Sequence, residues 1–219
     1  MQARLARLVF GGTCFVCRGT ARATLCEACD ADLPRLASPL CPRCALASPA
    51  GAVCGRCLAE PPRYDATLAA LAYAFPADVL VHALKFRGEL ALAPFLASVL
   101  RERVAQADCI VPVPLSAQRL RERGYNQAVE IARHLGGRLE IDACLRERDA
   151  PPQAGLDREA RRRNVRGAFR CRRSFAGERV AVVDDVMTTG ATLDALAAAL
   201  KDAGAANVTN WVVCRTADV

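Results

Sequence analysis

Val180-Ala181-Val182-Val183-Asp184-Asp185-Val186-Met187-Thr188-Thr189-Gly190-Ala191-Thr192-Leu193 passes through three chemical zones without a spacer. Val180–Val183 is apolar and mostly β-branched, the pattern of a strand buried on both faces. Asp184 and Asp185 stand where that strand should end. Met187–Thr192 is small and hydroxyl-rich, carries Gly190, and runs straight into a helical pattern. Backbone N–H groups of such a loop and the helix N-terminus attract a phosphate. Carboxylates accept hydrogen bonds from sugar hydroxyls, and charged acceptors make the stronger bonds. Together the three zones predict a site for a phosphorylated sugar.

Outward from this stretch, strand and helix patterns alternate. Leu193, Leu196, Ala197 and Leu200 share a helical face, Gly204 is placed to end that helix, and Val208–Cys214 reads as the last strand. Upstream, Thr67–Phe75 reads as a strand, Ala77–Phe86 and Leu90–Val104 as helices, Asp108–Val113 as a buried strand, Arg123–Leu135 as a helix and Phe169–Cys171 as a short strand. The alternation predicts an α/β fold with a mainly parallel sheet. Ligands of such sheets bind beyond the carboxyl ends of the strands, where Asp184 and Asp185 are expected. No G-x-G-x-x-G follows a strand and no G-x-x-x-x-G-K-[ST] occurs, which argues against a dinucleotide site and a P-loop.

The first 60 residues are organised by cysteine. Cys14/Cys17, Cys26/Cys29, Cys41/Cys44 and Cys54/Cys57 are four Cys-x-x-Cys pairs, while Cys109, Cys144, Cys171 and Cys214 are scattered singly. Two cysteines three apart on a knuckle turn aim both sulfurs at one metal, and two knuckles complete a closed tetrahedral shell, so two structural Zn²⁺ sites are expected. Sequential pairing (Cys14, Cys17, Cys26, Cys29, then Cys41, Cys44, Cys54, Cys57) is favoured over a cross-braced arrangement, which the spacing also permits. Pro61 and Pro62 mark a boundary between residues 1–60 and residues 61–219. Met1–Gly12 lacks the apolar core of a signal peptide and reads as a short amphipathic helix. No apolar run approaches the roughly 20 residues of a membrane span. These features, with thiols that need a reducing compartment, predict a cytoplasmic protein without membrane insertion.

The formal charge is +7 over 219 residues, with Lys85 and Lys201 the only lysines. Each Zn(Cys)₄ site carries two net negative charges, so two sites would bring the chain to about +3. Net charge alone therefore argues little for nucleic-acid binding. Locally, Arg146–Arg179 holds 11 Arg against five acids, a stretch suited to meeting a phosphodiester backbone or to standing as a solvated basic loop. Arg158–Arg166 contains no aromatic on which a base could stack.

These residues carry a resemblance. Val182–Thr192 resembles the phosphoribosyl-pyrophosphate (PRPP) motif of type I phosphoribosyltransferases. Val111-Pro112-Val113-Pro114, Arg123-Gly124-Tyr125-Asn126-Gln127-Ala128, Leu84-Lys85-Phe86-Arg87-Gly88 and Arg163-Asn164-Val165-Arg166-Gly167-Ala168-Phe169 resemble signatures of the ComF competence-protein family. The four knuckles resemble that family's double zinc ribbon. The resemblance implies a type I phosphoribosyltransferase fold behind a small zinc-ribbon domain. It also implies that Asp184 and Asp185, the expected catalytic pair, bind ribose hydroxyls. Met187, Thr188, Thr189, Gly190, Ala191 and Thr192 would wrap the 5′-phosphate, and PRPP would arrive with Mg²⁺. Lys85 and Arg123 lie inside matched motifs and are the foremost candidates for the leaving pyrophosphate, with Arg87, Arg119 and Arg121 behind them. A mobile loop closing over PRPP is implied for the Arg-rich stretch. Two functions follow: transfer of phosphoribose to an acceptor the sequence does not identify, linked to competence and DNA uptake, or PRPP sensing without catalysis by a factor that handles single-stranded DNA with other competence proteins.

Overall fold

The chain was analysed as a computed structural model, which describes residues 12–104, 106–147 and 167–217. The amphipathic segment at Met1–Gly12 (all but its last residue) and the core of the Arg-rich stretch lie outside the described residues.

Four parallel strands form the central sheet: β3 (Ala66–Ala72), β4 (Cys109–Pro112), β7 (Arg179–Met187) and β8 (Asn207–Arg215), in the order β3-β8-β7-β4. β7 is buried through Val180–Val183, as its apolar run requires. Ala181 and Val183 share one core with helices α3 (Ala77–Phe86) and α4 (Ala93–Arg101). Val180 and Val182 share the opposite core with helix α7 (Ala191–Asp202). Two helices, α5 (Ala117–Arg123) and α6 (Gln127–Ala132), follow β4, and an antiparallel pair, β5 (Cys144–Arg146) and β6 (Phe169–Cys171), lies outside the sheet.

Four sequence expectations change, one being the helix expected over Leu90–Val104, which is a 3-10 turn at Leu90–Leu92 leading into α4 and ending at Arg101. β7 continues to Met187, because Val186 and Met187 still pair with Cys214 and Arg215 of β8, so the two aspartates lie within the strand. The helix expected from Arg123 to Leu135 is confined to Gln127–Ala132, and a separate, unexpected helix, Ala117–Arg123, precedes it. Ser116 caps the first through Arg119 N–H, Gly124 ends it at φ +79°, and the Asn126 side chain accepts Ala128 N–H to start the second. β3 stops at Ala72, three residues before the expected end at Phe75, although Tyr73 N–H still reaches the Arg215 carbonyl.

The cysteine-rich segment wraps the β3 edge. Its strands β1 (Gly12–Thr13) and β2 (Thr20–Ala21) form a small hairpin, and its helices are α1 (Glu27–Ala31) and α2 (Gly55–Ala59). Cys14, Leu25, Cys29 and Leu33 join the core on the α3/α4 face. Cys41, Cys44, Ala45 and Cys57 join the core on the α7 face. Between them, Arg35 bridges Leu71 antiparallel, with Leu36 N–H on Ala70 O and Ala72 N–H on Pro34 O, so this short connection pairs along the outer edge of β3. At the other edge Leu139 bridges Ile110 of β4 in parallel.

The amino end of the sheet is closed by ion pairs. Glu178 meets Arg173 at 2.8 Å and Arg138 at 2.5 Å, and Arg179 meets Asp108 at 3.0 Å. The Arg173 guanidinium holds the Glu178 carboxyl down to about 2, against burial that would raise it. A carboxyl with a depressed folded pKa stabilises the protein fully above its unfolded value near 4.5 and loses that contribution as pH falls toward 2. Glu178→Gln should therefore cost about 2 kcal/mol at pH 7, and denaturant titrations should see the gap from wild type shrink below pH 4.5. A gap independent of pH would contradict the pairing.

Candidate functional site

The two aspartates leave β7 on opposite faces, as adjacent strand residues must. Asp184 is half-buried and shares a concavity with Val186 and the loop from Met187 to Leu193. Asp185 is 2% exposed and pairs with Lys85 Nζ at 2.9 Å. Each also accepts the next backbone N–H: Asp184 Oδ1 from Asp185 at 2.9 Å and Asp185 Oδ1 from Val186 at 3.0 Å. Burial alone would raise the Asp185 carboxyl, but the Lys85 ammonium outweighs it and holds the carboxyl below its ordinary value. Asp184 has no such partner at contact, and burial with the Asp185 charge pushes it well above the carboxylate range. Lys85 would be lowered by burial, yet Asp185 and Asp184 together raise it. Lys85 and Asp185 thus favour each other's charged forms, while burial and the Asp185 charge disfavour the ionised form of Asp184.

The loop earns its composition. Gly190 sits at φ +82° as the N-cap of α7, and a Cβ there would lie 2.7 Å from Met187 Cε and 3.1 Å from Tyr64 Oη. Both the left-handed conformation and the close approach demand glycine. Thr189 Oγ1 accepts Ala191 N–H at 3.3 Å, which folds the turn onto the helix start. Thr188 is exposed and Thr192 half-buried, both in the concavity lining. The 12-residue helix α7 presents its first N–H groups at this concavity.

Lys85 is in the last turn of α3, whose Leu80, Val81, Ala83 and Leu84 are buried. Beyond it, Phe86 is 62% exposed and Gly88 turns the chain at φ +68°. The segment Arg123–Gln127 is clamped against this turn. Arg123 lies 5.3 Å over the Phe86 ring and donates to Gln127 Oε1. Tyr125 donates its hydroxyl to the Leu84 carbonyl. Asn126 donates to the Val113 carbonyl at 2.9 Å while capping α6. Each residue after Arg123 thus has a positional task, and the Arg123 guanidinium is held at the mouth of a groove of about 590 Å³ lined by Lys85, Phe86, Arg87, Arg119, Arg123 and Tyr125. The Lys85–Asp185 pair joins this cationic groove to the carboxylates. Nothing local in the chain announces that pair, because its members are 100 positions apart.

The cysteines gather as Cys14, Cys17, Cys26, Cys29 and as Cys41, Cys44, Cys54, Cys57, each set with sulfurs within 4.8 Å of one another. The grouping is sequential. A tetrahedral site with Zn–S near 2.3 Å has sulfur–sulfur edges of about 3.8 Å. Cys17–Cys26 at 3.7 Å and Cys44–Cys54 at 3.6 Å fit that edge. The two halves repeat one design. A knuckle turn closes on a left-handed residue, Arg18 in one and Ala45 in the other, and faces a second knuckle whose first cysteine caps a short helix. All eight donors are thiols, so both sites are closed and suit structural zinc. Of the other cysteines, Cys144 and Cys171 are not solitary: they face each other across β5 and β6 with Sγ atoms 3.1 Å apart.

Comparison with known proteins agrees with this architecture. A double zinc ribbon domain matches residues 5–58 and a phosphoribosyl transferase domain matches residues 92–218. DNA utilization protein YhgH of Salmonella typhi is 36% identical over 95% of this chain and 99% of its own length. Competence protein F of Haemophilus influenzae is 31% identical over 94% and 98%. Competence protein ComFC of Bacillus subtilis is 26% identical over 88% and 84%. An α/β sheet carrying the matched transferase domain, fronted by two Cys₄ ribbons and similar end to end to these relatives, places the chain in the ComF family of double-zinc-ribbon, phosphoribosyltransferase-domain proteins.

Proposed function

We propose that this protein binds PRPP with Mg²⁺ and transfers its phosphoribosyl group to an acceptor in a process of DNA uptake or use. The observation that carries this is the run of three chemistries along one edge of the sheet: a phosphate-type loop at Met187–Thr192, carboxylates at Asp184 and Asp185, and a cationic groove reached through Lys85. The 5′-phosphate would sit on the loop, with the hydroxyls of Thr188, Thr189 and Thr192 and the α7 N–H groups. The aspartates would accept from the ribose hydroxyls. Lys85 and Arg123, with Arg87 and Arg119, would take the charge that grows on pyrophosphate as the C1–O bond breaks and the acceptor bonds to C1. Mg²⁺ would neutralise pyrophosphate oxygens and keep much of its shell as water and phosphate. Thiol-rich sites that need reduced cysteines support a cytoplasmic location.

A second assignment has its own observation. Exposed Phe86 under Arg123 puts a ring and a guanidinium side by side in the groove, and Phe15, with Arg18 at 5.5 Å and Arg87 at 5.7 Å from its ring, adds a second such cluster next to it through Arg87. Such pairs suit the bases and phosphates of single-stranded DNA. The names of the relatives support a DNA-linked role, in which PRPP is sensed and not consumed and other competence proteins are partners.

The test incubates the protein with PRPP and Mg²⁺, with and without single-stranded DNA or a pool of nucleobases, and follows pyrophosphate release. Acceptor-dependent release is expected for the transferase. Tight PRPP binding without release, coupled to DNA affinity, supports the sensor. Absence of PRPP binding would overturn both.

A further inference from the structure

The first ribbon and the second sit on opposite faces of the sheet, and they meet different parts of it. The second is joined to the loop at Met187–Thr192 through a buried arginine. Arg215 ends β8 with 2% of its surface exposed, opposite Met187 in the ladder. Its Nε donates to the carbonyl of Cys44, a ligand of the second Cys₄ cluster, at 2.9 Å. Its Nη1 donates to the carbonyls of Met187 at 3.1 Å, Thr188 at 2.6 Å and Thr216 at 2.8 Å. One planar fork thus spans the metal knuckle and the first two residues of the loop, a geometry a lysine cannot copy.

Three further contacts run the same way. Cys57 lines a small cavity together with Thr189, Gly190 and Ala191. Just after α2, the Tyr64 hydroxyl lies under Gly190 and Arg63 N–H donates to Asp194 in the first turn of α7 at 2.5 Å. The first cluster packs with α3 and α4 on the opposite core. A zinc held by four thiolates leaves a net negative site, which favours the buried guanidinium nearby.

We infer that Arg215 is a positioning residue that couples the second zinc site to the loop, so that metal in that site fixes where the Met187 and Thr188 peptides lie. The inference concerns the loop's shape, and its effect on PRPP rests on the function proposed above. Without the metal, the Cys41–Ala45 knuckle keeps only backbone bonds such as Ala45 N–H to Cys41 O at 2.9 Å and Cys41 N–H to Leu46 O at 2.7 Å, so the Cys44 carbonyl is less firmly placed and the fork loses a fixed anchor on that arm. Coupling of this kind is reciprocal: whatever steadies the loop must also tighten the second zinc site.

Hydrogen exchange on the full-length zinc-loaded protein reads the loop, and alkylation with N-ethylmaleimide followed by peptide mapping reads which cysteine quartet gives up its metal. Arg215→Met, which keeps the length of the side chain and removes the fork, should speed exchange of the peptide covering 187–193 by tenfold or more while exchange in β4 stays as in wild type. It should also speed labelling of Cys41, Cys44, Cys54 and Cys57, and leave Cys14, Cys17, Cys26 and Cys29 unchanged. In wild type, PRPP with Mg²⁺ should slow labelling of the second quartet several-fold and not the first. A folded Arg215→Met protein with wild-type loop exchange would overturn the coupling, as would PRPP protecting both quartets equally. If Arg215→Met does not fold, wild type decides alone: stripping only the second quartet must speed loop exchange, and an unchanged loop overturns the proposal. Calorimetry separates the two ideas. Wild type that fails to bind PRPP removes the function proposed for the site, and the exchange data still decide the coupling.

Discussion

Replacing both Asp184 and Asp185 with Asn is expected to reduce PRPP affinity at least 100-fold while the protein stays folded. Asparagine keeps the shape of aspartate and loses the charge that strengthens its hydrogen bonds to hydroxyls. Two charge-assisted bonds at about 1.5 kcal/mol each amount to roughly that factor. The fold should tolerate the change. Burial and the Asp185 charge both disfavour the ionised form of Asp184, so removing both charges relieves that repulsion. Lys85 loses its partner, but its side chain is 28% exposed, and water can take over. Calorimetry with PRPP and Mg²⁺ measures the loss, and circular dichroism checks the fold. Affinity equal to wild type would sink the placement of the sugar. The single variant Asp184→Asn adds a pH test. If ionised Asp184 meets the ligand, wild-type affinity should climb as pH rises through its elevated titration, and the variant should lose that climb.

Removing both zinc ions is expected to lower the thermal midpoint by more than 10 °C. Cysteine ligands line both cores: Cys14 and Cys29 on one side, Cys41, Cys44 and Cys57 on the other. Stripped of metal, each quartet leaves four close thiols and no turn to hold. Zinc binding in small ribbons is worth about 10–16 kcal/mol. Only part of that is expected to reach this chain, because the sheet keeps its own core. A share of about 5 kcal/mol corresponds to a shift on the order of 10–20 °C at this size. Metal analysis should find two zinc per chain, and chelator titration followed by a thermal scan should show the drop. A metal-free protein with the midpoint of the loaded one would contradict the assignment of the eight cysteines.

What the sequence revealed was local. Cys-x-x-Cys spacing fixes two sulfurs on one turn, and the Asp184–Thr192 pattern packs carboxylates, hydroxyls and glycine within one strand end and one loop. Helix α3 was legible from its apolar spacing to the residue. Short breaks were harder. Helix α5 buries none of its residues, so no apolar stripe announces it, and left-handed Gly124 and the Asn126 cap separate it from α6. The end of β7 was misplaced because its last pairs depend on Cys214 and Arg215, which come 28 positions later. Arg215 falls one residue past the strand expected over Val208–Cys214. Its burial follows from carbonyls supplied by Cys44 and by the Met187–Thr188 turn, which nothing near it in sequence announces. Lys85 was singled out from its motif, but its partner Asp185 is set by how α3 lies on β7.

The three residues Pro34–Leu36 lie between the two cysteine quartets. They run along the rim of β3, and Leu139 does the same for β4, so both borders of the sheet are occupied among the described residues. The β3 cover is held between two metal-dependent turns, whereas the β4 cover is not. Chains made without enough zinc would therefore show a bare rim of β3, with the apolar residues Leu68 and Leu71 along it, as a template for another chain's backbone. Such material should accumulate as insoluble, sheet-rich aggregates, and supplying metal during synthesis, when the rim is first covered, should rescue more soluble protein than supplying it afterwards.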